Sequence, residues 1–233
     1  MRLWYFLPMV FFLSVVASCE EKDNERSNIG EHNGHYYVDL GLPSGLLWAT
    51  CNVCANSTEE AGDFFSWGET TGYNSGKNIF NWSSYKFEDD NGSLIKYNNS
   101  SNCGLVDDKI KLDLDDDAAH ANWGGKWRLP TSAEQEELIN NCTLSDTFIN
   151  DVWVVKFTSK INGEILYFPA VGYHVDNNPY YYGMNFCSYW SSSLSERSSY
   201  YACGLCIGLS GVSVSNFQRS DGLCARAVYS PSE

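Results

Sequence analysis

Apolar and polar positions alternate in three different ways along this chain. After residue 35 the run HYYVDLGLPSGLLWATCNV reads as strand, turn and strand, with GLPSG (41–45) supplying the turn chemistry. From 56 to 125, Asn, Ser, Gly and Asp dominate, as in SWGETTGYNSGKNIFNWSSYKF, and neither a period of two nor of 3.6 persists. That predicts a long irregular loop region, of a length that compact domains keep for function. The pattern then sharpens at NWGGKWRLPTSAEQEELI (122–139). Gly124 and Gly125 make a tight turn, Trp127–Leu129 is extended, and Pro130 biases Leu129 away from helix. Thr131 is the expected N-cap, and Glu134 three residues later completes a capping box. The helix predicted over 132–141 carries Leu138, Ile139 and Cys142 on one side, with Ala133 near its start. Glu134, Glu136 and Glu137 suit the positive end of the helix dipole and are read as structural acids.

A hairpin is predicted next, from VWVVKFT (152–158) and GEILYFPAVGY (163–173), with Asn162-Gly163 as a type I′ turn signal. A tyrosine-rich loop, HVDNNPYYYGMNF, separates it from three more strand-like runs: YYACGLCIGL, GVSVSNF and GLCARAVY. No solenoid or propeller period is visible. The pattern is thus one firm helix among many short strands, joined by long polar loops.

Composition is that of a globular domain, with 43% hydrophobic and 19% charged residues. Aromatics reach 15%, so rings must be divided between core and surface. Trp123 and Trp127 flank a tight turn entering the helix and are assigned to the core. A net charge of −14 argues against nucleic acid as a partner, because displacing its counterions needs clustered Lys and Arg.

The N-terminus sets the compartment. Arg2 precedes an apolar run from Leu3 to Ala17, too short to span a bilayer and typical of a secretory signal. It ends Val16-Ala17-Ser18-Cys19, which resembles the lipobox of bacterial lipoproteins. The resemblance implies cleavage after residue 18, lipidation of Cys19 and attachment to a membrane through the acyl chains. Residues 19–35 are almost wholly polar and read as a flexible tether. The acids after Cys19 resemble a surface-export signal, so the expected location is the outer membrane, at the cell surface.

Eight cysteines remain. Cys51-x-x-Cys54 and Cys203-x-x-Cys206 have knuckle spacing, but 148 residues lie between the two pairs; Cys51 follows the strand-like run LLWAT and Cys203 lies within another, YYACGLCIGL. Structural disulfides or buried thiols are therefore expected for most of them. Asp113, Asp115 and Asp117 have the spacing of the start of a calcium loop but lack its glycine and distal glutamate, so a solvated acidic turn is favoured. His32 and His35 fall in the tether. His120 and His174 join no Ser-His-Asp set.

Several long motifs carry a resemblance. DLGLPSGLLWATCNV, GDFFSWGETT, DDAAHANWGGKWRLPTSAEQEELINNCT, YWSSS and the closing arginines Arg219 and Arg226 about Gly222 resemble a family of bacterial surface lipoproteins. It is the Fibrobacter succinogenes major paralogous domain, and the likeness covers about residues 36–229. Cys54, Cys187, Cys203, Cys206 and Cys224 depart from its pattern. The family is in turn similar to C-type-lectin-like folds and, more distantly, to the formylglycine-generating sulfatase modifiers. The resemblance implies an α+β, C-type-lectin-like domain: a helix packed on twisted antiparallel sheet, with long irregular loops. It implies one domain at 36–229, after a signal peptide (1–18) and tether (19–35), with a short tail at 230–233.

The expected function is a non-catalytic binding or adhesion module for glycan or protein ligands. No cofactor is expected. Ligand-contacting candidates are Trp82, Tyr85, Asp176, Tyr180, Tyr181 and Tyr182, since rings flanked by Asn and Asp suit sugar faces or a wet protein interface. Two alternatives stand beside it. One is an oxidative enzyme holding copper at Cys203 and Cys206, although residues three apart on a strand face opposite ways. The other is a structural component of an envelope assembly.

Overall fold

The computed structural model describes residues 28–176, 178–180 and 186–231. In chain order these form β1 (Ile29–His32), β2 (His35–Asp39), β3 (Leu47–Ala49), β4 (Phe64–Phe65), α1 (Ala118–Trp123) and α2 (Ser132–Asn141). There follow β5 (Cys142–Ile149), β6 (Val152–Ser159), β7 (Ile165–Pro169), β8 (Tyr173–Val175) and β9 (Asn178–Tyr180). The chain closes with β10 (Phe186–Leu194), β11 (Tyr201–Gly208), β12 (Gly211–Gln218), β13 (Leu223–Cys224) and β14 (Val228–Tyr229). Strand outweighs helix, 39% to 11%, so the class is a mostly-sheet α+β fold.

Four sheets share the work. The first runs β1-β2-β3-β14 and is antiparallel, so the last strand pairs with one of the first. The second runs β12-β11-β10-β13-β4, antiparallel except for the parallel β10–β13 contact. The third is the meander β5-β6-β7, and β8 and β9 form a small hairpin. α2 crosses between the second and third sheets. Its N-terminus is built as the sequence predicts: Thr131 Oγ1 accepts from Glu134 N, and Glu134 Oε2 accepts from Thr131 N at 2.7 Å. Arg128 fixes the same glutamate with two bonds of 2.8 Å. The buried face differs from expectation. Gln135 and Leu138 are buried while Ala133 is exposed. The reason is hydrogen bonding: Gln135 Nε2 donates to the Tyr189 and Trp190 carbonyls, where the β10–β11 register breaks.

Gly124 and Gly125 both take positive φ, 65° and 59°, which accounts for the glycine pair before the helix. The β6–β7 turn is a correction. Gly163 has φ 80° but Asn162 does not share it, so this is no two-residue type I′ turn. Instead Gly163 N bonds Ser159 O, and Ser159 N bonds Glu164 O, closing a longer loop.

Two apolar clusters form the core. One joins Trp48, Leu138, Phe157, Phe168 and Tyr189 between the third sheet, α2 and the second sheet. The other joins Phe65, Trp67, Tyr97, Trp127 and Trp190 under the 56–125 region. That region, aperiodic in sequence, is thus folded by its rings.

Two wholly buried arginines fasten the loops to the sheets. Arg219 Nε donates to Tyr85 Oη at 2.8 Å, and its terminal nitrogens donate to the carbonyls of Lys96, Tyr97 and Ser199. Its guanidinium also lies 4.9 Å from the Trp67 ring centre. Arg226 donates to Asn52 Oδ1 at 2.9 and 2.7 Å and to the carbonyls of Ala49 and Tyr167. Carbonyl dipoles and ring faces replace the water that each cation has lost.

The packed domain begins earlier than the sequence suggests. Residues 29–32, assigned to the tether, form β1. His32 stacks on Tyr229 at 4.3 Å and His35 on Trp123 at 3.9 Å. These histidines are ordered by the Trp123–Trp127 turn, which a local reading of polar residues does not register.

Candidate functional site

A polar corner forms where the 3-10 turn Trp82–Ser84 meets the β8–β9 hairpin. Two backbone bonds, Phe80 N to Asp176 O and Asp176 N to Phe80 O, clip the segments together at 2.9 and 2.8 Å. Asn81 caps the turn, its side-chain oxygen accepting from Ser84 N, and its Nδ2 donates to Asp176 Oδ1 at 3.0 Å. Asp176 is exposed and left-handed at φ 54°, a conformation aspartate tolerates better than most residues. Trp82 Nε1 donates to Gln218 Oε1 at the end of β12, 2.7 Å away. The half-buried Trp82 ring meets Tyr85 and Tyr200 edge-on, at 5.4 and 5.2 Å. Behind the corner, Asp221 is 7% exposed. Burial pushes its carboxyl up to about 7, with the nearby Asp176 charge adding to the shift. His174 backs the same corner, its ring tilted against Phe64, Tyr73 and Phe80, and burial holds its imidazole below the usual range.

The structure therefore brings together Trp82 and Asp176, residues far apart in sequence, and adds Asn81, Gln218 and Asp221. Asn81 and Gln218 carry no sequence signal of their own, because the Phe80–Asp176 bridge that aligns them is a long-range contact. Tyr180 belongs to β9, paired with Tyr173. Tyr181 and Tyr182 lie outside the described residues, as does Cys19. Tyr85 is a correction. It is 3% exposed, and its hydroxyl donates to Trp67 O at 2.7 Å while accepting from Arg219. Burial raises its phenol far above the ordinary range. Its place beside Arg219 makes it part of the loop core and removes it from any ligand surface.

The two metal candidates fare no better. Asp117 is the N-cap of α1: it accepts from Ala119, His120 and Leu129 backbone nitrogens and is 2% exposed. Asp113 is held by Lys96 and Lys109 at 2.7 and 2.5 Å, which leaves Asp115 without carboxylate company. Cys203 and Cys206 lie on β11 three residues apart, so they face opposite sides. Cys203 Sγ points to Leu194 O and Asn216 Oδ1, and burial raises both thiols. Among the described residues no three His, Cys, Asp or Glu side chains group closely enough to hold a metal.

A second concavity was not legible in the sequence. Around Cys203, a cleft of about 520 Å³ opens beside the start of α2, lined by Asn99, Ser132, Glu136, Arg197 and Asn216. It draws on six separate segments, which only the fold brings together. No family model, curated protein or solved structure matches the chain.

Proposed function

We propose that the chain is an exported, lipid-anchored binding module of the Fibrobacter succinogenes major paralogous type, with a C-type-lectin-like fold. The anchor is Cys19, and the ligand is a glycan held at the corner of Trp82 and Asp176. One observation carries the reading: a half-buried indole, a clamped carboxylate and two side-chain amides converge on one corner from three segments. An indole offers a flat apolar face, and carboxylate and amide groups accept and donate to hydroxyls, which is the polarity of a sugar. A helix braced on antiparallel sheet with long loops supports the fold assignment. Among the described residues no helix is long and apolar enough to cross a membrane, and the proposed anchor requires none.

The test is a glycan array probed with wild type, Trp82→Ala and Asp176→Ala. Both substitutions are expected to reduce binding of the same glycans by about tenfold or more, roughly 1.4 kcal/mol; Asp176→Ala, at an exposed side chain, should leave the melting temperature little changed, whereas Trp82→Ala also loses packing on Tyr85 and Tyr200, so its fold is checked by circular dichroism. Undiminished binding by both variants would refute the corner as the site.

A further inference from the structure

The β5-β6-β7 meander ends in a strand edge with which no strand among the described residues pairs. β5 pairs with β6 along its whole length, from Cys142↔Ser159 to Ile149↔Val152, and is the outer member of its sheet among the described residues. Residues 143–148 are all exposed. Proteins usually blunt such edges with lysine, proline, a bulge or sheer shortness. β5, CTLSDTFI, has eight residues, an unbroken register, and neither lysine nor proline.

It also presents apolar side chains where water would be expected. Alternation places Leu144, Asp146 and Phe148 on one face, and Leu144 and Phe148 are 41% and 66% exposed. Beside them Trp153 and Val155 of β6 floor a groove of about 430 Å³. Its far wall comes from the β11–β12 turn, including Val212 and Leu209, the latter 82% exposed. Asp146 is the one ionisable side chain in the lining, and it accepts from Trp153 Nε1 at 2.9 Å. Asp146 is itself exposed, so its carboxylate is open to a cation.

We propose that β5 and this groove receive an extended strand from a partner protein. The strand adds to the free edge through backbone hydrogen bonds, and its alternate apolar side chains enter the groove. A lysine or arginine on it meets Asp146, and a basic strand is drawn to a chain of net charge −14. A second copy fits less well. Two chains of that charge repel, and antiparallel pairing about the midpoint of β5 sets the two Asp146 side chains in neighbouring rows. This surface is separate from the glycan corner, so the inference stands independently of that reading.

The probe is a fluorescein-labelled peptide, KVTVTFTK, titrated with the purified protein and read by fluorescence anisotropy. Saturable binding is expected, weakened about tenfold or more by Leu144→Lys or Phe148→Lys. Both sites are solvent-exposed, and circular dichroism checks that the variants stay folded. The peptide N-methylated at alternate residues should lose binding, and EVTVTFTE should bind more weakly. The proposal is overturned by no binding up to millimolar concentration, by equal binding to the lysine variants, or by an N-methylated peptide that binds as well as its parent. Sedimentation supplies the last arm: a dimer that Phe148→Lys dissolves identifies a second copy as the occupant and overturns the partner assignment.

Discussion

Removing one oxygen atom from Tyr85 tests the arginine-centred account of the loop region. In Tyr85→Phe the ring still fills its place in the apolar cluster, so no large cavity opens. Two partners lose their bond: the Trp67 carbonyl, which accepts at 2.7 Å, and the Arg219 Nε–H, which donates at 2.8 Å. Both are buried, so water does not replace the hydroxyl. An orphaned neutral group costs about 1–3 kcal/mol, and a charged donor stands at the upper end. Three of the other four guanidinium N–H groups keep the Lys96, Tyr97 and Ser199 carbonyls, which limits the loss to one N–H. The expected destabilisation is therefore about 2–4 kcal/mol. For a domain of this size that lowers the melting temperature by about 4–16 °C. Urea unfolding followed by tryptophan fluorescence measures it directly, with an unchanged slope showing that the unfolded surface is the same. A loss below about 0.5 kcal/mol would refute the claim that the hydroxyl is an obligatory partner of Arg219.

Other outcomes follow from the same geometry. Asp221 has a folded pKa of about 7, above its unfolded value near 3.9. Its contribution to stability is thus fully present below pH 4 and is lost as pH rises through 7. Asp221→Asn should remove that decline, gaining roughly 2–4 kcal/mol over wild type at pH 8, and parallel stability curves for the two proteins between pH 4 and 8 would count against it. Thr131→Ala removes the N-cap of α2 and should cost about 1 kcal/mol in chemical denaturation. Gly62→Ala should cost more: φ is 68° and an added Cβ would lie 2.1 Å from the Val53 carbonyl oxygen, so a variant as stable as wild type would contradict the packing described.

Sequence logic reached furthest where structure is local. The Thr131–Glu134 box, the Gly124-Gly125 turn and the β11–β12 hairpin all rest on neighbours within a few positions, whereas GLCARAVY, read as one strand, splits into β13 and β14, each paired with a distant strand. It failed where distant groups decide. Tyr85 reads as an exposed ring among asparagines and serines, yet Arg219, 134 positions on, draws it inside. Residues 29–32 read as solvated linker, yet they pair with β2 and pack on Trp127 and Tyr229. β5 is also missed, since CTLSDTFI follows the helix without a break and its apolar residues face solvent. At the candidate corner, Trp82 and Asp176 were legible as residue types, whereas Asn81, Gln218 and Asp221 depend on a bridge between loops that no period announces.

The pairing of β3 with β14 has a bearing on how the chain is made. Trp48 waits for Val228 and Ala49 for the carbonyl of Ala227, while Asn52 waits for Arg226. A nascent polypeptide halted before residue 225 lacks one of the four strands of its first sheet and leaves its second cluster without Ala225 and Ala227. Closure of the first sheet therefore waits on residues 226–229, so the order in which the chain emerges sets the order in which its two halves can lock, and the segment around Trp48 stays exposed until its distant partner arrives.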